Sequence, residues 1–133
     1  MVQRQYELGD AELEVLKVLW DEGPATVRQV LAALHANGRK LAYTTVLTFL
    51  TRLEQKGVVR SDKSGLAYVY QSAVSRDKIT RSRVRSLVEQ LYDGAAGELV
   101  LQLIRTQRFT PEEITELQNL INRLDTDDSS PSK

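Results

Sequence analysis

The side chains of this chain that are best placed for chemistry are short polar groups along one face of a helix. Residues 42–57 have helical periodicity, because apolar Val46, Leu50 and Leu53 recur at intervals of three and four. The opposite side, which we call the threonine face, consists of Thr44, Thr48, Thr51, Arg52 and Gln55. Hydroxyl, amide and methyl groups backed by a guanidinium suit the major groove of DNA, where they reach base edges and phosphates. The alternative is a helix that merely tolerates threonine, a mediocre helix former, on a solvated face.

Positive charge is concentrated around this helix, although the chain as a whole is neutral. It has 18 basic and 18 acidic residues, so bulk charge does not predict a polyanionic partner. Between residues 28 and 63, however, Glu54 and Asp62 face a larger basic set. That set is Arg28, Arg39, Lys40, Arg52, Lys56, Arg60 and Lys63. The local charge therefore favours nucleic acid as a partner, whereas a second basic cluster at 76–85 is interpreted as a solvated helix face.

The composition excludes several other classes of function. The chain has no cysteine, which excludes disulfides, thiolate metal sites and cysteine nucleophiles, and His35 alone cannot form a metal site. We find no glycine-rich phosphate loop and no nucleophile with a plausible base, so we expect no enzyme, no catalytic residues and no cofactor. Without a leader-like start or a long apolar run, the chain is expected in the cytoplasm, with no membrane insertion.

The first half of the chain predicts three helices followed by a strand pair. Gly23-Pro24 ends the first helix, and Thr26-Val27-Arg28-Gln29 is a capping box that begins the second. In order, the predicted elements are helices at 11–23, 26–38 and 42–57 and β-prone runs at 58–60 and 66–71. The turn at 62–65 gives the hairpin a cationic tip. This order describes a winged helix, with a helix-turn-helix at 26–57 and the hairpin as its wing.

The second half predicts three short amphipathic helices. They begin near Ser75, within the apolar run 99–104, and at Thr110-Pro111, where a capping threonine precedes a proline. So much leucine cannot be buried against one small winged helix, which favours pairing with a second copy; an intramolecular helical cap is the alternative. The residues assigned to this homodimer interface are Ile79, Leu87, Leu91, Leu99, Leu103, Ile114, Leu117, Leu120, Ile121 and Leu124.

The expected fold is thus mainly α with a small β-hairpin wing. A winged helix-turn-helix domain at residues 1–71 binds DNA, a three-helix dimerisation domain occupies 72–124, and a polar tail at 125–133 is disordered.

An ordered set of short motifs resembles the penicillinase and methicillin-resistance repressor family over nearly the whole chain. The motifs are Leu8-Gly9-Asp10-Ala11-Glu12-Leu13-Glu14-Val15-Leu16, Leu19-Trp20, Ala42-Tyr43-Thr44-Thr45-Val46, Leu50-Thr51-Arg52-Leu53, Lys56-Gly57, Tyr68-Val69-Tyr70, Tyr92, Gly94, Leu99-Val100-Leu101 and Glu112-Glu113-Ile114-Thr115-Glu116-Leu117. The resemblance implies a homodimeric winged-helix repressor on a palindromic double-stranded DNA operator. It also implies release when a membrane-bound sensor metalloprotease signals cell-wall stress, typically from β-lactams.

The resemblance and the residue chemistry assign the DNA contacts. By similarity, Thr44, Thr45 and Thr48 take recognition positions, Arg52 follows them, and Lys63 lies near the wing tip. Tyr43 at the helix start is assigned to the DNA backbone, with packing as its alternative role. The cations able to neutralise phosphates are Arg28, Lys40, Arg52, Arg60 and Lys63.

The same resemblance places an inactivating cleavage at Gln102-Leu103, inside the apolar run of the dimerisation segment. A cut there would remove the tether between two DNA-binding domains, which can be worth a factor of about 10² to 10⁴ in affinity.

Other regulators and a binding module compete with this interpretation. A copper-responsive repressor from a related branch would need thiolate ligands, which the chain lacks. A small-molecule-responsive winged-helix regulator could hold an apolar effector at a leucine-lined interface. A winged helix that serves as a protein-interaction module is the third alternative.

Overall fold

The computed structural model describes residues 7–127, which form six helices and three short strands. The elements are α1 (Asp10–Glu22), β1 (Ala25–Thr26), α2 (Val27–Ala36), α3 (Tyr43–Gln55), β2 (Val59–Asp62), β3 (Val69–Ser72), α4 (Arg76–Tyr92), α5 (Ala96–Thr106) and α6 (Pro111–Asp127). The predicted architecture, a winged helix followed by helices, is confirmed. The predicted tail began at residue 125, but α6 continues through residue 127; residues 128–133 lie outside the described part of the chain.

The chain divides into two compact units, residues 1–91 and 92–133. The structural division therefore falls at the end of α4, whereas the functional boundary was placed after Gln71. A helix can pack on one unit and still serve an interface, so the functional boundary stays a prediction.

The helix ends of the first unit follow from local hydrogen bonds that the sequence predicts. Thr26 and Gln29 form the capping box of α2: the Gln29 N–H donates to Thr26 Oγ1 at 3.2 Å, and the Thr26 N–H donates to Gln29 Oε1 at 2.8 Å. Gly38, with φ of 88°, takes the left-handed conformation that ends the helix. These caps fix the length of α2 and hence the start of the link to α3.

The apolar side of α3 is the centre of the core. Val46, Leu50 and Leu53 have no exposed surface, and they pack in one cluster with Leu16 of α1 and Leu34 of α2. Truncating a leucine buried in this way costs about 2–5 kcal/mol. Burial of this stripe fixes the rotation of α3 about its axis and turns the threonine face outward.

The second strand of the wing is shorter than predicted, the first extends to Asp62, and both belong to a three-stranded sheet. The strands have the antiparallel order β1-β3-β2, with Ala25 opposite Tyr70 and Ser61 opposite Tyr70 on the other side. β3 begins at Val69 rather than at residue 66, because residues 64–67 form bends. β1 was not predicted, because two residues between Pro24 and a helix are too few to show an alternating hydrophobic pattern.

Trp20 connects α1 to the segment that follows the wing. Its Nε1–H lies 3.0 Å from Ser72 Oγ and 2.9 Å from the Val74 carbonyl oxygen. The guanidinium of Arg76 lies 5.3 Å from the indole centroid and pairs with Asp21 at 2.6 Å. These contacts attach the start of α4 to α1.

Ile79 corrects one expectation about the dimer interface. Its side chain is 3% exposed and belongs to the core of the first unit. It has almost no surface to offer a partner, so we remove it from the interface. The helical spacing was right, but the apolar stripe of α4 begins in the core of the first unit.

The second unit consists of α5 and α6. Thr110, the predicted capping threonine, forms a capping box with Glu113 at the start of α6, with hydrogen bonds of 2.9 and 3.0 Å. Among the described residues from 92 onward, none is buried, although both helices are rich in leucine and isoleucine. The start of α6 is therefore capped locally, but the described part of the unit has no closed core.

Glu12 is a buried carboxylate that joins the start of α1 to the end of α3. It is 6% exposed, accepts the Gly9 N–H at 3.0 Å and pairs with Lys56 Nζ at 2.7 Å. Burial acts to raise the pKa of Glu12, but these two hydrogen bonds and the charges of Lys56 and Arg52 outweigh it, so the pKa lies below 4.5. The carboxylate stabilises the fold above its unfolded pKa, and this contribution is lost as the pH falls through the folded pKa.

We expect Glu12→Gln to lower the free energy of unfolding at neutral pH by about 1–2 kcal/mol, because a charge-assisted hydrogen bond is lost. The difference from the native chain should shrink as the pH falls below 4.5. Urea titrations followed by the fluorescence of Trp20 measure both values. Glu89→Gln, at an exposed site on α4, is the control; an equal pH dependence in the native chain and Glu12→Gln would contradict the assignment.

Candidate nucleic-acid interface

The link between α2 and α3 is held by two side-chain contacts. His35 Nε2 lies 3.0 Å from the Leu41 carbonyl oxygen, and Arg39 pairs with Glu14 of α1 at 3.0 Å. His35 is exposed, and its ring contacts the backbone of the link. Lys40, in the same link, is exposed immediately before α3. These contacts hold the link between the two helices of the helix-turn-helix and thereby set the direction of α3.

The threonine face is directed away from the protein core. Thr44, Thr48 and Arg52 are exposed, whereas Thr45 is half-buried. Thr48 Oγ1 donates to the Thr44 carbonyl oxygen at 2.9 Å, so its donor is used within the helix. Toward a partner, Thr48 then offers an acceptor oxygen and a methyl group, which suit a base amino group or a thymine methyl.

Glu54 fixes the wing against α3. Its Oε2 accepts the Ser61 hydroxyl at 2.6 Å, and its Oε1 lies 3.9 Å from Lys63 Nζ. Lys63 also lies 5.6 Å from the ring centroid of Tyr68. These contacts hold the wing in a fixed position beside α3.

Asp62 organises the turn at the wing tip. Its Oδ1 accepts the Ser64 hydroxyl at 2.6 Å and the Ser64 N–H at 2.9 Å. These hydrogen bonds hold the pKa of Asp62 below 3.8, since both favour the charged carboxylate. The turn that presents Lys63 is therefore formed at neutral pH.

A groove of about 450 Å³ separates α3 from the wing. The guanidinium of Arg28 lies over the ring of Tyr43, 5.1 Å from its centroid, at one wall of this groove. Tyr43 is 40% exposed, so it both packs against Arg28 and presents ring surface. The lining residues are Thr26, Val27, Arg28, Tyr43, Leu47, Leu66, Ala67, Tyr68 and Tyr70.

The structure separates Arg60 from the other assigned cations. Ser61 faces α3 through Glu54, and neighbouring side chains of a strand point to opposite faces, so Arg60 projects away from α3. Tyr68 and Leu66 were missing from the predicted site. Their alternation with buried Tyr70 was the signal that could have found them.

The residues assigned to self-association lie on three helices. Leu87 and Leu91 are exposed on α4, and Leu103 is exposed on α5 beside half-buried Leu99. On α6, Leu117 is half-buried; the exposed members are Ile114, Leu120, Ile121 and Leu124. The peptide bond between Gln102 and Leu103 lies within α5.

A winged helix with an exposed polar recognition helix and a cationic wing defines the winged-helix class of DNA-binding regulators. The family model described as penicillinase repressor matches residues 8–123. The chain belongs to the penicillinase repressor family, whose members are DNA-binding transcriptional repressors rather than enzymes.

Two curated relatives illustrate the similarity. The transcriptional regulator BlaI of Mycobacterium tuberculosis is 38% identical over 95 residues, which is 71% of this chain and 68% of the relative. The methicillin resistance regulatory protein MecI of Mammaliicoccus sciuri is 27% identical over 123 residues, covering 92% of this chain and 99% of the relative.

One solved structure in this comparison is the monomeric form of Bacillus licheniformis BlaI in complex with the blaP half-operator. It is 29% identical, with a TM-score of 0.48, covering 57% of this chain and 92% of that chain. Within residues 7–127, no helix combines the length and apolarity needed to cross a membrane.

We expect Asp62→Ala to loosen the wing tip without unfolding the protein, because Asp62 is exposed and its hydrogen bonds are local. The Ser64 amide should exchange with solvent about fivefold faster, as one hydrogen bond is lost. Amide exchange followed by NMR measures this rate. Asp62→Asn keeps an acceptor oxygen and should preserve protection; equal exchange in Asp62→Ala and the native chain would exclude the turn.

Proposed function

We propose that this protein represses transcription as a homodimer, with α3 of each protomer in the major groove of one operator half-site. The observation that carries the proposal is the outward threonine face, whose Thr48 oxygen and methyl groups match base edges. Thr44, Thr48 and Thr51 are exposed, so packing within the chain does not explain their repeated use. Contact with DNA bases would explain it.

Cations around the threonine face supply the affinity that does not depend on sequence. Arg28, Lys40 and Arg52 lie on or beside the helix-turn-helix, and Lys63 lies at the wing tip. Each phosphate neutralised by such a side chain releases condensed counterions, so binding weakens steeply as salt rises. Arg60, on the other face of the wing, is left out of this set.

Self-association covers the apolar surface of the second unit. Ile114, Leu120, Ile121 and Leu124 recur at helical spacing along α6, and each exposes 45% or more of its surface. Burying a leucine or isoleucine fully is worth about 1.5–3 kcal/mol, so a second copy gains much by covering this stripe. A two-fold dimer also presents two recognition helices to the two halves of a palindrome.

Relief of repression would follow from a cut at Gln102-Leu103. The Gln102 carbonyl oxygen accepts the Thr106 hydroxyl at 2.7 Å inside α5, so a protease must first unwind this turn. Cutting α5 would disrupt the dimer, and each DNA-binding unit would lose its tethered partner. In our proposal the signal is cell-wall stress, and a membrane-bound sensor metalloprotease starts the response.

Two substitutions separate base recognition from phosphate contact. Thr48→Ala should change the preferred operator, because it removes an acceptor and a methyl group from the groove. Lys63→Ala should weaken binding to all sequences alike and reduce the salt slope by about one unit. Selection of DNA from a random pool, followed by salt titrations, measures both effects. If both variants weaken every sequence equally, the threonine face does not recognise bases.

The proposed interface is tested by placing a charge on α6. Leu120→Asp should give monomers with weak operator binding, since an unpaired carboxylate cannot be buried in an apolar interface. Asn119→Asp adds the same charge on the opposite side of α6 and should leave the dimer intact. Analytical ultracentrifugation reports the assembly. Dimers that persist in Leu120→Asp would exclude this stripe.

A further inference from the structure

Leu66 is the most exposed large apolar side chain among the described residues. Its relative exposure is 108%, and the next highest value, for Leu124, is 69%. A single exposed leucine is ordinary in a protein. This one, however, lies at the wing tip and lines the groove beside α3, where the proposed function places DNA.

Contacts of neighbouring residues shape the turn that carries Leu66, and the Leu66 side chain itself is fully exposed. Asp62 accepts two hydrogen bonds from Ser64, which shape the turn. Lys63 lies between Glu54 of α3 and the ring of Tyr68. An apolar group presented on such a braced turn is suited to entering a narrow groove.

With α3 in the major groove, the groove between α3 and the wing would face one phosphodiester backbone. Major and minor grooves lie on opposite sides of each backbone, so an element beside a major-groove helix faces the minor groove. The groove of about 450 Å³ offers space for that backbone. Arg28 and Thr26 line it and are side chains that commonly bind phosphate oxygens.

We propose that Leu66 enters the minor groove beside each half-site and selects A·T over G·C pairs there. The inference rests on the proposed function and adds a second, minor-groove element of specificity. It concerns the wing tip, and the threonine face is not involved.

The selection follows from the chemistry of the minor-groove floor. Every base pair presents acceptor atoms there, but only G·C adds the amino group of guanine. The isobutyl group of Leu66 cannot accept a hydrogen bond, so covering that amino group leaves a desolvated donor without a partner. An A·T pair presents no such donor and leaves room for the side chain.

Base analogues test this contact without altering the major groove. 2,6-Diaminopurine paired with thymine adds the minor-groove amino group, and inosine paired with cytosine removes it. The experiment uses the full chain and a duplex enriched from a random pool at physiological salt. A hydroxyl-radical footprint locates the minor-groove position that Leu66 protects, by comparison of the native chain with Leu66→Ala.

For the native chain, we expect diaminopurine at that position to weaken binding about tenfold, as a mismatched pair does. A G·C pair there should weaken binding similarly, and inosine should restore it. Leu66→Ala should bind the original duplex about fivefold more weakly, because apolar contact is lost. It should no longer respond to diaminopurine.

Gln71→Ala is the matched control, since Gln71 is exposed on the wing opposite Arg60 and away from the groove. It should keep the native response to each analogue. A native chain indifferent to diaminopurine, or a Leu66→Ala chain that responds as strongly, would overturn this inference while leaving the proposed function in place. If no duplex is enriched, the proposed function fails and the inference fails with it.

Discussion

The burial of one apolar stripe on α3 determines which face of this helix is available to DNA. Val46, Leu50 and Leu53 are fully enclosed between α1 and α2, and this leaves one rotation of the helix available. That rotation exposes Thr44 and Thr48. Further along the same helix, Glu54 receives the Ser61 hydroxyl and thereby fixes the wing. Core packing thus orients both the proposed recognition surface and its neighbouring wing, so a packing defect under α3 would disturb all the proposed DNA contacts together.

Patterns within one element were predictable from the sequence, whereas positions that depend on neighbouring elements were not. The capping box at Thr26, the capping threonine at Thr110 and the buried stripe of α3 depend on local spacing, and all were predicted. β1 was not predicted, because its pairing with β3 is the only reason for it to be a strand. The surroundings of Arg60 and Ile79 were not predictable for a similar reason: sheet register turns Arg60 away from α3, and tertiary packing buries Ile79 in the core.

The two units use their apolar residues differently. The first unit has one closed core of leucines and valines, which includes the start of α4 through Ile79. In the second unit, α5 and α6 have no buried side chain among the described residues. In our proposal this difference has a regulatory consequence. A DNA-binding unit with its own core survives separation from its partner, whereas a second unit that needs a partner makes operator affinity depend on assembly.

The proposed function requires that the threonine face lies outside the protein core and meets DNA. Because the chain has no cysteine, a single introduced thiol reports its own surroundings. The most direct measurement is the rate of maleimide labelling of Thr48→Cys, with and without a saturating enriched duplex, beside Val46→Cys as a buried reference. We expect rapid labelling of Thr48→Cys in the free protein, strong protection by the duplex, and no labelling of Val46→Cys in either state. A Thr48→Cys thiol that is unreactive in the free protein, or equally reactive when DNA is bound, would contradict it.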